Sequence, residues 1–334
     1  MTETLLGAVI LASLVLYALL AGADYGGGIL DLFARGPRAE AQRRAVEEAI
    51  GPIWEANHVW LILVVVVLFT GFPEAFATIS TWLFVPLVML LVGIVLRGAA
   101  FTFRSYDRRD DLVQRRWGRI FAAASLVAPL MLGIVVGSLA SGSLRSAPGG
   151  GWFSWAAPFP VLTGGLAASL FAYLAAAYLT VETEGALRED FRTRAIAAGV
   201  AVFLLALATG AASYRAAPLV FEGLTRRRFS VPLHLATGVA AIGAFAALLA
   251  RRWRAARSAA AAQVALIVVG WGASQYPYLL VPDLTLASAA APRATQRLLL
   301  EALGLGAVAL FPSLYFLFRV FKGGQPPRPS GPPP

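Results

Sequence analysis

The feature that most constrains this chain is a series of apolar runs that each approach or exceed the length of a bilayer crossing. They fall at about 5–32, 53–72, 75–98, 117–140, 160–181, 195–214, 231–250, 260–281 and 298–320. A helix needs roughly 20 such residues to cross the hydrocarbon core. Of the 334 residues, 58% are hydrophobic and 14% charged, where a soluble domain carries about 25% charge. The expected fold class is therefore an all-α polytopic membrane protein of nine transmembrane helices. Residues 1–322 form a single integral membrane domain, followed by a disordered Pro-rich tail at 323–334. The first run is too long for a signal-peptide core and carries an acid, so it reads as a retained helix.

The basic residues orient these spans. Arg35, Arg38, Arg43 and Arg44 lie in the first loop, and six arginines from Arg104 to Arg119 surround the third. Three from Arg188 to Arg194 mark the fifth loop and four from Arg251 to Arg257 the seventh, with Arg319, Lys322 and Arg328 at the C-terminus. The alternate loops hold Arg145, Arg215, Arg226, Arg227, Arg228, Arg293 and Arg297. Positively charged loops stay in the cytoplasm, which puts the N-terminus outside and the C-terminus inside. The triplet Arg226–Arg228 is the local exception. The ends of spans one and five resemble each other loosely, which fits two four-helix bundles plus one peripheral helix.

Composition also excludes. No cysteine is present, which removes disulfides, thiolate zinc sites, iron–sulfur clusters and a cysteine nucleophile. The formal charge of +10 does not point to nucleic acid, because it is spread over short loops between spans. Phosphate-binding loops and the HExxH and GxSxG motifs are missing from the sequence.

Ionisable groups inside a membrane are costly, so each is a candidate for function. Asp24, in AGADYGGGIL, lies roughly 28 Å along the first helix from Leu5 at 1.5 Å per residue. It is either an acid on a proton path or an interfacial carboxylate bonded to a neighbouring helix. Gly26, Gly27 and Gly28 beside it permit close helix approach or loosen the backbone so that water reaches the acid. Glu55, Asn57 and His58, flanked by Trp54 and Trp60, open the second span at the same face. Together with Asp24 they form a candidate proton-loading site, because carboxylates desolvated at a bilayer boundary exchange protons nearer neutral pH. The competing reading is an aromatic anchor at the headgroups. His58 is a proton relay, a haem ligand or a satisfied polar residue, with haem ligation last because no second inward histidine matches it. Arg97 closes the third span, either snorkelling or pairing with Asp24, Glu55 or an anion. His234, Glu182, Glu184 and Asp283 read as boundary or loop residues.

GADYGGGILDLF, IGPIWEANHVWLILVVVVLF, LRGAAFTFRSY, YLTVETEGALRED and QYPYLLVPDLTL, in this order, resemble subunit II of cytochrome bd-type quinol oxidases. The resemblance runs from the first span to the ninth and so covers nearly the whole chain. It implies a haem-free subunit paired with a haem-bearing subunit I in a complex of the bacterial inner membrane. That complex oxidises quinol and reduces dioxygen to water with protons from the cytoplasm. Haems b and d are expected in the partner and none in this chain. A structural quinone and a small accessory subunit are left open, and membrane lipid is the remaining partner. Asp24 and Glu55 match acids of the family's proton path, with Trp54 and Arg97 near them. Glu55 stands where other members carry Asp, which lengthens the side chain by one methylene. The alternative is a proton-coupled secondary transporter, which usually shows broken helices in both halves.

Overall fold

The computed structural model describes residues 1–50, 57–106, 111–142 and 154–322. Two wide helix groups share a centre. The first holds α1 (Thr2–Leu32), the short α2 (Ala39–Ile50), α3 (Val59–Gly71), α4 (Pro73–Trp82), α5 (Phe84–Tyr106) and α6 (Asp111–Ser141). The second holds α7 (Pro158–Glu182), α8 (Gly185–Ala216), α9 (Pro218–Arg226), α10 (Ser230–Leu249) and α11 (Trp253–Gln275). A last helix, α12 (Arg293–Lys322), follows. Helices dominate because hydrocarbon offers no partner for a bare backbone amide, so each span must satisfy its own.

Among the described residues, eight helices are long and apolar enough to cross a membrane, and the bent pair α3–α4 makes a ninth only if counted as one span. The axes of that pair differ by 118°. Proline explains the break. Pro73 has no amide hydrogen to give to the helix behind it, and its fixed φ suits the first position of a new one. The apolar stretch read from the sequence as 75–98 therefore divides. Its first part is the short α4, and the long helix begins at Phe84. The stretch read as 260–281 is carried by α11, which ends at Gln275.

The break recurs in the second group. Phe72 precedes Pro73 at φ −140°, ψ 61°, and Ala217 precedes Pro218 at φ −142°, ψ 64°. With α2 set aside, each group runs long helix, helix, proline-started short helix, long helix, long helix. The sequence hinted at two halves, and these two matching turns mark the repeat in the backbone. The extra helix α12 packs on α1 and α3, and none of its most apolar stretch is buried.

Helices α1 and α7 form the seam between the groups. α1 touches α3, α6, α7, α11 and α12, while α7 touches α6, α8 and α11. Glycine sets how near the two can come. A Cβ on Gly26 would sit 1.9 Å from the Phe171 carbonyl oxygen, and one on Gly28 would sit 2.1 Å from Ser125 Oγ. α1 runs unbroken through these glycines. They serve close approach, and the loosened backbone weighed from the sequence is not seen. The central core joins Tyr17 and Tyr25 of α1, Trp60 of α3, Met131 of α6, Phe171 and Tyr173 of α7 and Val264 of α11.

One end of the molecule gathers the basic loops. Here the amphipathic α2, inside what the sequence read as loop one, is clamped by Arg38 to Asp190 of α8 at 2.8 and 2.6 Å. Arg43 meets the buried Asp31 at 2.9 Å. Arg194 donates to Gln42 and to the Leu30 and Phe33 carbonyls, where a cation suits a helix C-terminus. The other end is closed by an antiparallel hairpin, β1 (Tyr278–Leu280) with β2 (Leu284–Thr285). Leu280 packs on Ile79, Leu83 and Val135, and Leu286 on Leu6 and Val64. The exceptional Arg227 also lies at this end, donating to the Ala273 and Tyr276 carbonyls at the close of α11. Its placement is explained as a cap on that helix.

Candidate functional site

Asp24 sits in the second half of α1 with 7% of its surface exposed. Asn57, just ahead of α3, is buried beside it and donates Nδ2 to Asp24 Oδ2 at 2.5 Å. This pairing joins two segments that the sequence proposed as one site. Glu55 and Trp54, proposed with them, lie outside the described residues.

His58 is half-buried between two tyrosine rings. Its centroid is 6.0 Å from that of Tyr17 and 5.8 Å from that of Tyr25. The tyrosines meet each other, the Tyr17 hydroxyl donating to that of Tyr25 at 3.2 Å. Arg97 lies in the interior of α5 and is only 1% exposed, so it does not snorkel to the headgroups. Its guanidinium stands 4.8 Å from the Tyr25 ring centroid and 5.3 Å from that of Phe121, close enough for cation–π attraction. Among the described residues, no hydrogen-bond partner reaches its Nε or Nη2. Asp24 thus has an amide on one flank and an aromatic cluster holding a cation near the other.

A cavity of about 390 Å³ lies beside Asp24. Its wall includes Asp24 and Asn57, Leu19 and Leu20 of α1, Glu182 of α7 and Arg257 of α11. α2 contributes Val46 and Ala49, and α7 contributes Tyr178. From Ala175 to Glu182 the wall rises about 10 Å along α7 by helix geometry. The volume has room for on the order of ten waters. Chemically the arrangement is a buried acid beside a mainly apolar space that also carries Asn57, Tyr178, Glu182, Arg257 and Ser258.

Several of these residues were not singled out as functional in the sequence. Tyr17 and Tyr25 are among them, although Tyr25 adjoins Asp24 and Tyr17 lies two turns away on nearly the same helix face. Glu182 read as a boundary residue and Arg257 as a loop charge. Their pairing, 3.9 Å apart, depends on α7 meeting α11, which no local pattern encodes. His234 is engaged locally, its Nδ1 2.7 Å from the Ser230 carbonyl. Among the described residues, no group of three or more His, Asp or Glu side chains converges to hold a metal ion.

The sequence profile of the family described as cytochrome bd terminal oxidase subunit II matches residues 2–321. The chain is 30% identical over 203 residues to the cytochrome bd-I ubiquinol oxidase subunit 2 of Escherichia coli (strain K12), which covers 58% of this chain and 51% of that one. It is 34% identical over 124 residues to the cytochrome bd ubiquinol oxidase subunit 2 of Bacillus subtilis (strain 168), covering 37% of this chain and 36% of that one. The chain spans about half the length, or less, of these curated relatives. A chain in the solved structure of the bd oxidase from Geobacillus thermodenitrificans has the same fold. The TM-score is 0.82 at 23% identity, covering 97% of this chain and 100% of that one.

Proposed function

The chain belongs to the cytochrome bd terminal oxidase subunit II family, and on that premise we propose that it is the haem-free subunit of a quinol-oxidising, dioxygen-reducing complex. In this reading it steadies a haem-bearing subunit I in the bacterial inner membrane and brings that subunit protons from the cytoplasm. Haems b and d, held by the partner, supply the electron transfer and the oxygen chemistry. This chain's residues hold and move protons.

The observation that carries the reading is the buried Asp24 in the wall of the cavity, paired with Asn57. A buried carboxylate with a neutral amide donor and water on one side can take up a proton and release it without leaving the membrane. Asn57 orients the carboxylate. Arg97 supplies a fixed positive charge within the aromatic cluster that adjoins Asp24. Glu55 belongs to the same path by its match to the family motif. The gathering of basic loops at one end of the molecule supports a cytoplasmic assignment for that end. With α3–α4 counted as one crossing, the chain then has nine spans, its N-terminus outside and its C-terminus inside. A proton-coupled transporter would draw on the same buried acid, but family membership favours the oxidase subunit.

The test is to purify the tagged chain from its native membranes in mild detergent and record a reduced-minus-oxidised visible spectrum. The reading expects a co-purifying partner with b- and d-type haem bands and quinol-dependent oxygen uptake. An intact chain in those membranes that never associates with a haem protein, even after cross-linking, contradicts it.

A further inference from the structure

The cavity that Asp24 lines needs a route to water, and its walls are not equally closed. On the α2 side the route is blocked. Arg38 and Gln42 both donate to Asp190, and Arg43 is locked to the buried Asp31. The parts of α2 that face the cavity are Val46 and Ala49, which carry no polar group to pass a proton. Between α7 and α11 the closure is of another kind. Glu182 and Arg257 line the same cavity, yet their side chains are 37% and 42% exposed. At 3.9 Å the pair is loose, and solvated pairs of this kind contribute little to stability. Glu182 therefore faces both bulk water and the cavity.

We propose that Glu182, held beside Arg257, is the group that collects protons from the aqueous phase for the cavity that Asp24 lines. This rests on the proton-path reading above and adds to it a residue and a point of access. The carboxylate takes a proton from bulk water, passes it to a cavity water and returns to its ionised form. The proton moves through water towards the Asp24 carboxylate, so charge and atoms balance at each transfer. The titratable and charged groups sharing the wall are Arg257 from α11, Asp24 from α1 and Tyr178 one turn back on α7. Arg257 keeps a positive charge at the mouth, so a proton moving inward is not drawn back to a bare acid.

The experiment measures quinol-dependent oxygen uptake by the complex, purified with its partner, across a range of pH. Glu182→Gln is expected to slow turnover about tenfold at alkaline pH, where protons are scarce and local collection matters most. At acid pH the rate should return to near the wild-type value. Glu182→Asp should restore most of the alkaline rate, and Glu222→Gln on α9 should behave as wild type throughout. Haem content, read from the spectrum, must match in all variants for the comparison to stand. A Glu182→Gln complex with wild-type rates at every pH overturns the inference. So does a loss that is the same at all pH and that Asp does not rescue, since that is a structural defect. If Asp24→Asn is slow while Glu182→Gln is normal, protons reach Asp24 elsewhere and only this inference fails. If Asp24→Asn is itself normal, the proton-path reading beneath it fails.

Discussion

Asn57 Nδ2 lies 2.5 Å from Asp24 Oδ2, with both side chains buried, so the segment entering α3 is tied to the acid in the second half of α1. Replacing Asn57 by Leu removes this donor from the buried carboxylate. A buried polar group stripped of its partner costs about 1–3 kcal/mol. The Asn57→Leu complex is expected to melt several degrees lower than wild type, and Asn57→Gln to recover part of that loss. Thermal unfolding of the purified complex measures both.

The seam between α1 and α7 predicts a sharp contrast among glycines. Gly26→Ala would put a methyl within 1.9 Å of the Phe171 carbonyl oxygen, and a backbone atom cannot step aside cheaply. Overpacking of this kind costs about 1–3 kcal/mol or more. Gly238→Ala on α10 meets nothing within 4 Å and should be neutral. Yields and melting temperatures of the two variants, compared side by side, give the answer.

The clamp on α2 predicts a local effect. Asp190 accepts from Arg38 and Gln42, and half-exposed pairs of this sort are worth about 0–1 kcal/mol each. Asp190→Ala should therefore leave the overall melting temperature nearly unchanged. Hydrogen exchange in residues 39–50 should rise, because one of the two carboxylates that hold this helix is then gone. Exchange that stays at the wild-type level would show that the Arg43–Asp31 pair, Arg194 and the apolar contacts of Val46 hold α2 without Asp190.

Much of the fold could be read from composition because a bilayer asks for long apolar runs and for basic loops on one side. The repeat was faint in the sequence, since the matching turns depend on a single proline each, Pro73 and Pro218, in otherwise unlike surroundings. Helix α2 escaped because AEAQRRAVEEAI is short and charged and so looks like loop. Its stability comes from Asp31 and Asp190, one on α1 and one on α8. At the site, Asp24 and Asn57 stood out because polar residues in a membrane are rare. The cavity did not, because its wall takes one or two residues from each of several helices. Glu182 and Arg257 are 75 positions apart in the chain, and only the packing of α7 on α11 makes them neighbours.

The most direct measurement is oxygen uptake by the Asp24→Asn complex with saturating quinol, at a haem content equal to that of wild type. Asparagine keeps the shape but cannot carry a proton. The account expects turnover to fall at least about a hundredfold, the scale of a lost acid–base group, with the haem spectrum intact. Turnover equal to wild type with the same spectrum would mean that protons for oxygen reduction do not pass through this chain at Asp24.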